Sequence, residues 1–204
     1  MRHHTPTRAI DQLALALNVP SALRSDMFRP DAQPNRPVTA ERLRRLLDTF
    51  TVISDLTMPG LSLDGETISG HRFYGCNFAS LRLSDTIIEQ TEFELCFFPF
   101  SHFERVRFSD LTVRSCVFGG STLDSCQFGG SLIVQCNFNG ITARRAVFDD
   151  CDLLHTRFNV SVFDDVRFEN CNLKETRYLG TDVATTVFRY SNQEDATFEN
   201  EVGS

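Results

Sequence analysis

The sequence predicts a solenoid of stacked short repeats behind a helical preface, and three observations carry that expectation. A large, mostly apolar residue recurs at every fifth position from Ile53 to Phe198, thirty times with no insertion or deletion. Two residues before these centres the chain keeps small or modest side chains, among them Cys76, Thr86, Cys96, Ser101, Cys116 and Ser121. Finally, fifteen of the nineteen phenylalanines are repeat centres, in a chain with no tryptophan. A period of five fits neither an amphipathic helix at 3.6 nor a half-buried strand at 2. A fixed internal period decides the architecture before local propensity does.

Residues 1–50 read as a helical segment and cap. A first helix is expected with Thr5 as cap and Pro6 at its first position, because Ile10, Leu13, Ala14 and Leu17 form one stripe that ends near Asn18 and Pro20. Asp11 and Gln12 interrupt the apolar positions, which speaks against a signal peptide. A Pro-rich linker follows over 29–38. Thr39 then caps a second helix from Ala40 to Phe50, with Leu43, Leu46, Leu47 and Phe50 on one face. That face is placed to cover the open end of the first coil, since solenoids need their terminal repeats capped.

Residues 51–200 carry the repeats, and 201–204 form a tail. The triplets Cys76-Asn77-Phe78, Cys136-Asn137-Phe138, Cys151-Asp152-Leu153 and Cys171-Asn172-Leu173 resemble the pentapeptide-repeat pattern of a small residue, Asp or Asn, then Leu or Phe. The resemblance implies an all-β, right-handed quadrilateral β-helix in which four pentapeptides make one square coil. Coils stacked at about 4.8 Å would then build a rod about 36 Å long. At a step of twenty residues one face reads Phe78, Phe98, Phe118, Phe138, Phe158, Tyr178 and Phe198, and another reads Phe108, Phe128, Phe148, Phe168 and Phe188. These ladders are core. At the far end Gln193 breaks the apolar centres, and pairing with another copy there is one expectation.

The count also disposes of most candidate chemistry. All seven cysteines fall at the small inward position, and no CxxC or His-bearing zinc spacing is present. They read as small buried hydrophobes, and an odd number of reduced thiols points to a reducing cytoplasm. Glycines such as Gly65, Gly119, Gly129 and Gly140 fall just after the centres, where a square coil must turn and positive φ is useful. His71, His102 and His155 are scattered. No catalytic constellation, phosphate-binding glycine motif, metal site or cofactor is expected, and no apolar run is long enough to span a membrane.

Surface features remain. Residues 1–52 carry eight arginines against five acids, whereas 53–204 carry twelve basic residues against twenty-two acids. An acidic rod does not attract nucleic acid. The resemblance implies that it could imitate DNA toward gyrase, as Qnr-type members are held to do, and Asp149, Asp150, Asp164 and Asp165 are the candidate acidic surface. The competing site is apolar: Leu95, Phe97, Pro99 and Phe100 project together, with Val117 one coil later beside Phe97, which points to a protein partner. Leu132, Val134 and Leu154 form a smaller apolar group. Lys174 is the single lysine among twenty basic residues, which leaves open an effector delivered into host cells as an alternative to a cytoplasmic protein. The expected function is a non-enzymatic interaction module.

Overall fold

The computed structural model describes residues 38–199. The helix expected near the N-terminus, all of the Pro-rich linker but Val38, and the tail 201–204 lie outside the described residues. Helix α1 spans Ala40–Thr49 and is started by Thr39, whose hydroxyl accepts from the Arg42 N–H at 3.3 Å. Phe50 is its C-cap rather than its last residue, with its N–H on the Leu46 carbonyl at 2.8 Å.

From Val52 onward the chain winds into four-sided coils. Eighteen three-residue strands occupy three of the sides among the described residues. The first side stacks five of them, from Val52–Ser54 to Leu132–Val134. The third stacks six, from Ser62–Asp64 to Val162–Asp164, and the fourth seven, from Thr67–Ser69 to Val187–Arg189. On the second side each coil contributes a single bridging residue followed by a turn, in the register Thr57, Asn77, Phe97, Val117, Asn137, Arg157, Arg177, Thr197. All pairings are parallel and step by twenty residues, as Phe73↔Phe93 and Leu123↔Ala143 show. Parallel strands ordinarily need a long crossover connection. Here the other three sides of the same coil supply it.

The two inward positions divide the work of the interior. Aromatic centres stack face to face, Phe98 on Phe118 at 4.7 Å and Phe128 on Phe148 at 4.5 Å, and run down the second and fourth sides as the period predicts. The small inward residues do more than fill space. Their hydroxyl or thiol donates to a carbonyl twenty-three residues earlier: Ser121 to Phe98 at 2.8 Å, Thr156 to Ile133 at 2.8 Å, and Cys126 to Phe103 at 3.3 Å. This corrects the reading of the cysteines as hydrophobes alone. All seven are free and buried, and each thiol is a weak donor stitching one coil to the last.

The corners correct the reading of the glycines. Positive φ falls two residues after the centres, at eight glycines but also at twenty other residues. Gly119 and Gly129, one residue after their centres, do not adopt it. The corner N–H is held instead by the neighbouring coil, as in Asp85 N–H to Glu104 C=O at 3.0 Å and Ser125 N–H to Arg144 C=O at 2.8 Å. The left-handed conformation is thus imposed by the coil on whatever residue stands there.

Helix α1 covers the first coil. Val38 and Leu43 join the continuous core, and Ala40, Leu46 and Leu47 pack against it. The Arg44 Nε donates to Glu66 Oε1 at 2.9 Å, and His71 Nδ1 lies 3.2 Å from the Phe50 carbonyl. At the other end of the described residues Gln193 is exposed. Phe198 is 37% exposed although its ring stacks on Tyr178 at 4.9 Å.

Candidate functional site

The outcrop around Phe97 is built by a local exchange of partners. At two positions of the second side an asparagine before the centre accepts from the N–H two residues later: Asn77 from Ala79 at 2.9 Å, Asn137 from Asn139 at 2.9 Å. In the next coil after Asn77 that asparagine is Phe97, and Pro99 stands where the N–H would be orphaned. One substitution makes the other tolerable. Phe97 is then free to project, and it is 48% exposed. Its backbone stays locked, with its N–H on Cys76 C=O at 2.9 Å and its carbonyl accepting from Phe78 N–H at 2.7 Å. Leu95 and Phe100 occupy corners with φ 53° and 56° and are 42% and 66% exposed. The Phe100 ring lies over Gly120, where a Cβ would meet ring carbons at 2.7 Å. Pro99 and Val117 are half-buried, and Val117 pairs with Phe97 in register. The five residues therefore form one rigid patch.

The four acids do not come together in the same way. Asp149 and Asp150 stand at the far edge of the fourth side, while Asp164 and Asp165 stand at its near edge one coil later. Arg167 lies between and reaches Asp165 at 3.3 Å. Asp149 accepts from the Asn170 amide at 2.8 Å, and Asp164 sits opposite Arg144 in register. Arg145 turns away from these acids toward Asp124 and Ser125, one coil back. The Ser125 hydroxyl and then Arg145 hold the Asp124 carboxyl below the usual range.

The repeat geometry is matched by family comparison. A model described as a pentapeptide repeat region fits residues 121–198. The chain thus contains a pentapeptide repeat region, and its fold is a parallel β-helix. Among solved structures, a trypsin-treated R167E variant of QnrB1, a plasmid-mediated fluoroquinolone resistance protein, is 18% identical, covering 72% of this chain and 79% of that one with a TM-score of 0.40. The pentapeptide-repeat protein Rfr23 from the cyanobacterium Cyanothece 51142 is 14% identical, with 72% and 97% covered and a TM-score of 0.46. HetL from Nostoc sp. strain PCC 7120, described as involved in heterocyst differentiation regulation, is 10% identical, with 76% and 92% covered and a TM-score of 0.27. No curated protein matches the chain.

Within the pentapeptide-repeat coils the interior is filled. The space along its axis amounts to about 40 Å³ and is lined by Leu43, Phe73, Phe98, Phe118 and other apolar side chains. Among the described residues no three metal-ligating side chains gather, and no helix is long and apolar enough to cross a membrane. His102 shares a 2.8 Å contact with the Thr122 hydroxyl, and His155 lies 3.1 Å from Glu175. Burial pushes the Cys126 thiol up to about 12, which leaves it protonated and inert near neutrality. The second apolar group does not form as expected, because Val134 is 7% exposed, flanked in register by Arg114 and by Leu154 on the next coil. The structure instead exposes Val160, Val162 and Tyr190, which sequence reading passed over. All three stand at outward positions of the five-residue count, and that signal was available.

Proposed function

We propose that this pentapeptide-repeat protein is a non-enzymatic interaction module that docks a protein partner on Leu95, Phe97, Pro99, Phe100 and Val117. The observation that carries the reading is the compensated coil: Pro99 and Gly120 each remove an atom that would oppose the display of Phe97 and Phe100. Exposing two phenylalanines to water is costly, and a rigid pair of them, with uncharged Asn77 and Val117 on the adjoining coils, has the character of a binding hot spot. An acidic DNA-like stripe is less well supported, since the four aspartates divide between opposite edges of one side and Arg167 stands between them.

The test compares three proteins on affinity resin against native lysate: the intact chain, Phe97→Ser/Phe100→Ser, and a charge-reversed Asp149/Asp150/Asp164/Asp165 variant. We expect the serine variant to lose the partner with an unchanged melting curve, and the charge-reversed variant to keep it. Light scattering of the same samples reads self-association through the patch. A partner held equally by the intact chain and the serine variant removes this reading.

A further inference from the structure

Two arginines stand directly opposite each other in a rod where most cations between coils face a carboxylate or a neutral residue. Among the described residues, Arg72, Arg105, Arg145 and Lys174 each reach a carboxylate on the adjacent coil. Arg114 and Arg144 lack an ion pair but stand opposite Glu94 and Asp164 in register. Arg157 and Arg177 instead stand opposite each other, as consecutive bridging residues of the second side. Both are exposed, and neither makes an ion pair or a side-chain hydrogen bond among the described residues. Their neighbours along the column, Asn137 and Thr197, are neutral.

Like charges directly opposite on adjacent strands repel. At the coil spacing of about 4.8 Å the two guanidiniums can share one ligand, and each offers a planar fork of N–H donors suited to oxyanions. Asn137, the preceding residue of the column, is neutral and accepts at its Oδ1 from the Asn139 N–H at 2.9 Å. The pair lines a groove of about 460 Å³ together with His155, Glu175, Asp195 and Thr197. Glu175 is engaged by His155 at 3.1 Å, and Asp195 lies at the corner beyond Arg177. An anion therefore sits best on the Arg157 side of the groove, away from Asp195.

We propose that Arg157 and Arg177 form a two-pronged site for a dianionic oxyanion, a phosphoryl or sulfate group whose two charges match the two guanidiniums. The site is three coils from Phe97 and does not rest on the docking role of the apolar patch.

Thermal unfolding of the full chain tests it, with Arg157→Gln/Arg177→Gln as comparison and ionic strength held constant. Phosphate and sulfate stabilise folded proteins generally, so the variant reports that background. In chloride alone we expect the variant to melt as high as the wild type or higher, because the repulsion is gone. In millimolar phosphate the order reverses, with the wild type gaining several degrees more by mass action. Equal gains in both proteins, an adventitious ion only, overturn the site. So does a variant that melts well below the wild type in chloride, which would mean that the arginines already have a stabilising partner. Acetate acting as strongly as phosphate overturns the dianion assignment. NMR of the arginine Nε–H groups gives a second reading, with shifts on phosphate addition expected at Arg157 and Arg177.

Discussion

A valine in the left-handed region is about the least suitable residue for that conformation, and Val160 holds φ 54° while 62% exposed. The coil imposes the angle, since the Val160 N–H is tied to Leu179 C=O at 2.8 Å. Relief of the Cβ clash should therefore register directly as stability. We expect Val160→Gly to raise the free energy of unfolding by about 1 kcal/mol in urea denaturation. Gly120→Ala should do the opposite, losing about 1–2 kcal/mol, because it adds a Cβ both at φ 69° and against the Phe100 ring. Tyr178 presents a different residue-level conflict. Its hydroxyl is buried with no hydrogen-bond partner among the described residues, and burial raises its pKa. An orphaned hydroxyl costs more than its absence. Tyr178→Phe is accordingly expected to gain about 1 kcal/mol, and a clear loss would reveal a partner for the hydroxyl.

At the scale of elements, α1 depends on what it covers. Ten residues are too few for an isolated helix to be stable in water, so the helix stands on Leu43 and its packed neighbours. Leu43→Ala should cost about 2–5 kcal/mol. Because solenoid coils contact only their neighbours, the loss should be local. Hydrogen exchange should accelerate over 52–74 and stay slow beyond Phe138; uniform acceleration would mean that the rod unfolds as one unit. This helix was legible in the sequence because its signals are local: a threonine cap and an apolar stripe. The sides of the coil were legible because a strict count of five, taken four at a time, places every centre. The same count bears on the candidate acidic surface. Asp149 and Asp165 are close in sequence, yet a square coil puts them at opposite edges of one side. The match of Phe97 with Pro99 was also hidden, since it depends on a hydrogen bond that Asn77 and Asn137 make and Phe97 cannot.

For the whole molecule, ion pairs between coils act along the axis, and their pH dependence can be given a sign. Arg105 grips Asp85 on the preceding coil at 2.6 and 2.7 Å and holds its carboxyl below the ordinary carboxylate range. A depressed folded-state pKa means that the unfolded chain binds the proton more readily. The pair thus stabilises above the unfolded aspartate value of about 3.9 and is lost as pH falls through the lower folded value. Asp124 behaves alike. Asp55 runs the other way, since burial raises its carboxyl, and its protonation on acidification relieves rather than weakens the fold. Acid should therefore erode the middle coils while slightly favouring the first. Arg105→Gln separates the contributions. We expect it to melt below the wild type at pH 6, with the gap closing as pH falls below about 3, because the wild type has then lost the same pair. High salt at pH 6 should narrow the gap as well, since both partners are exposed and screened. A gap that persists at pH 2 and in high salt would assign the contribution of Arg105 to packing of its side-chain stem and not to charge.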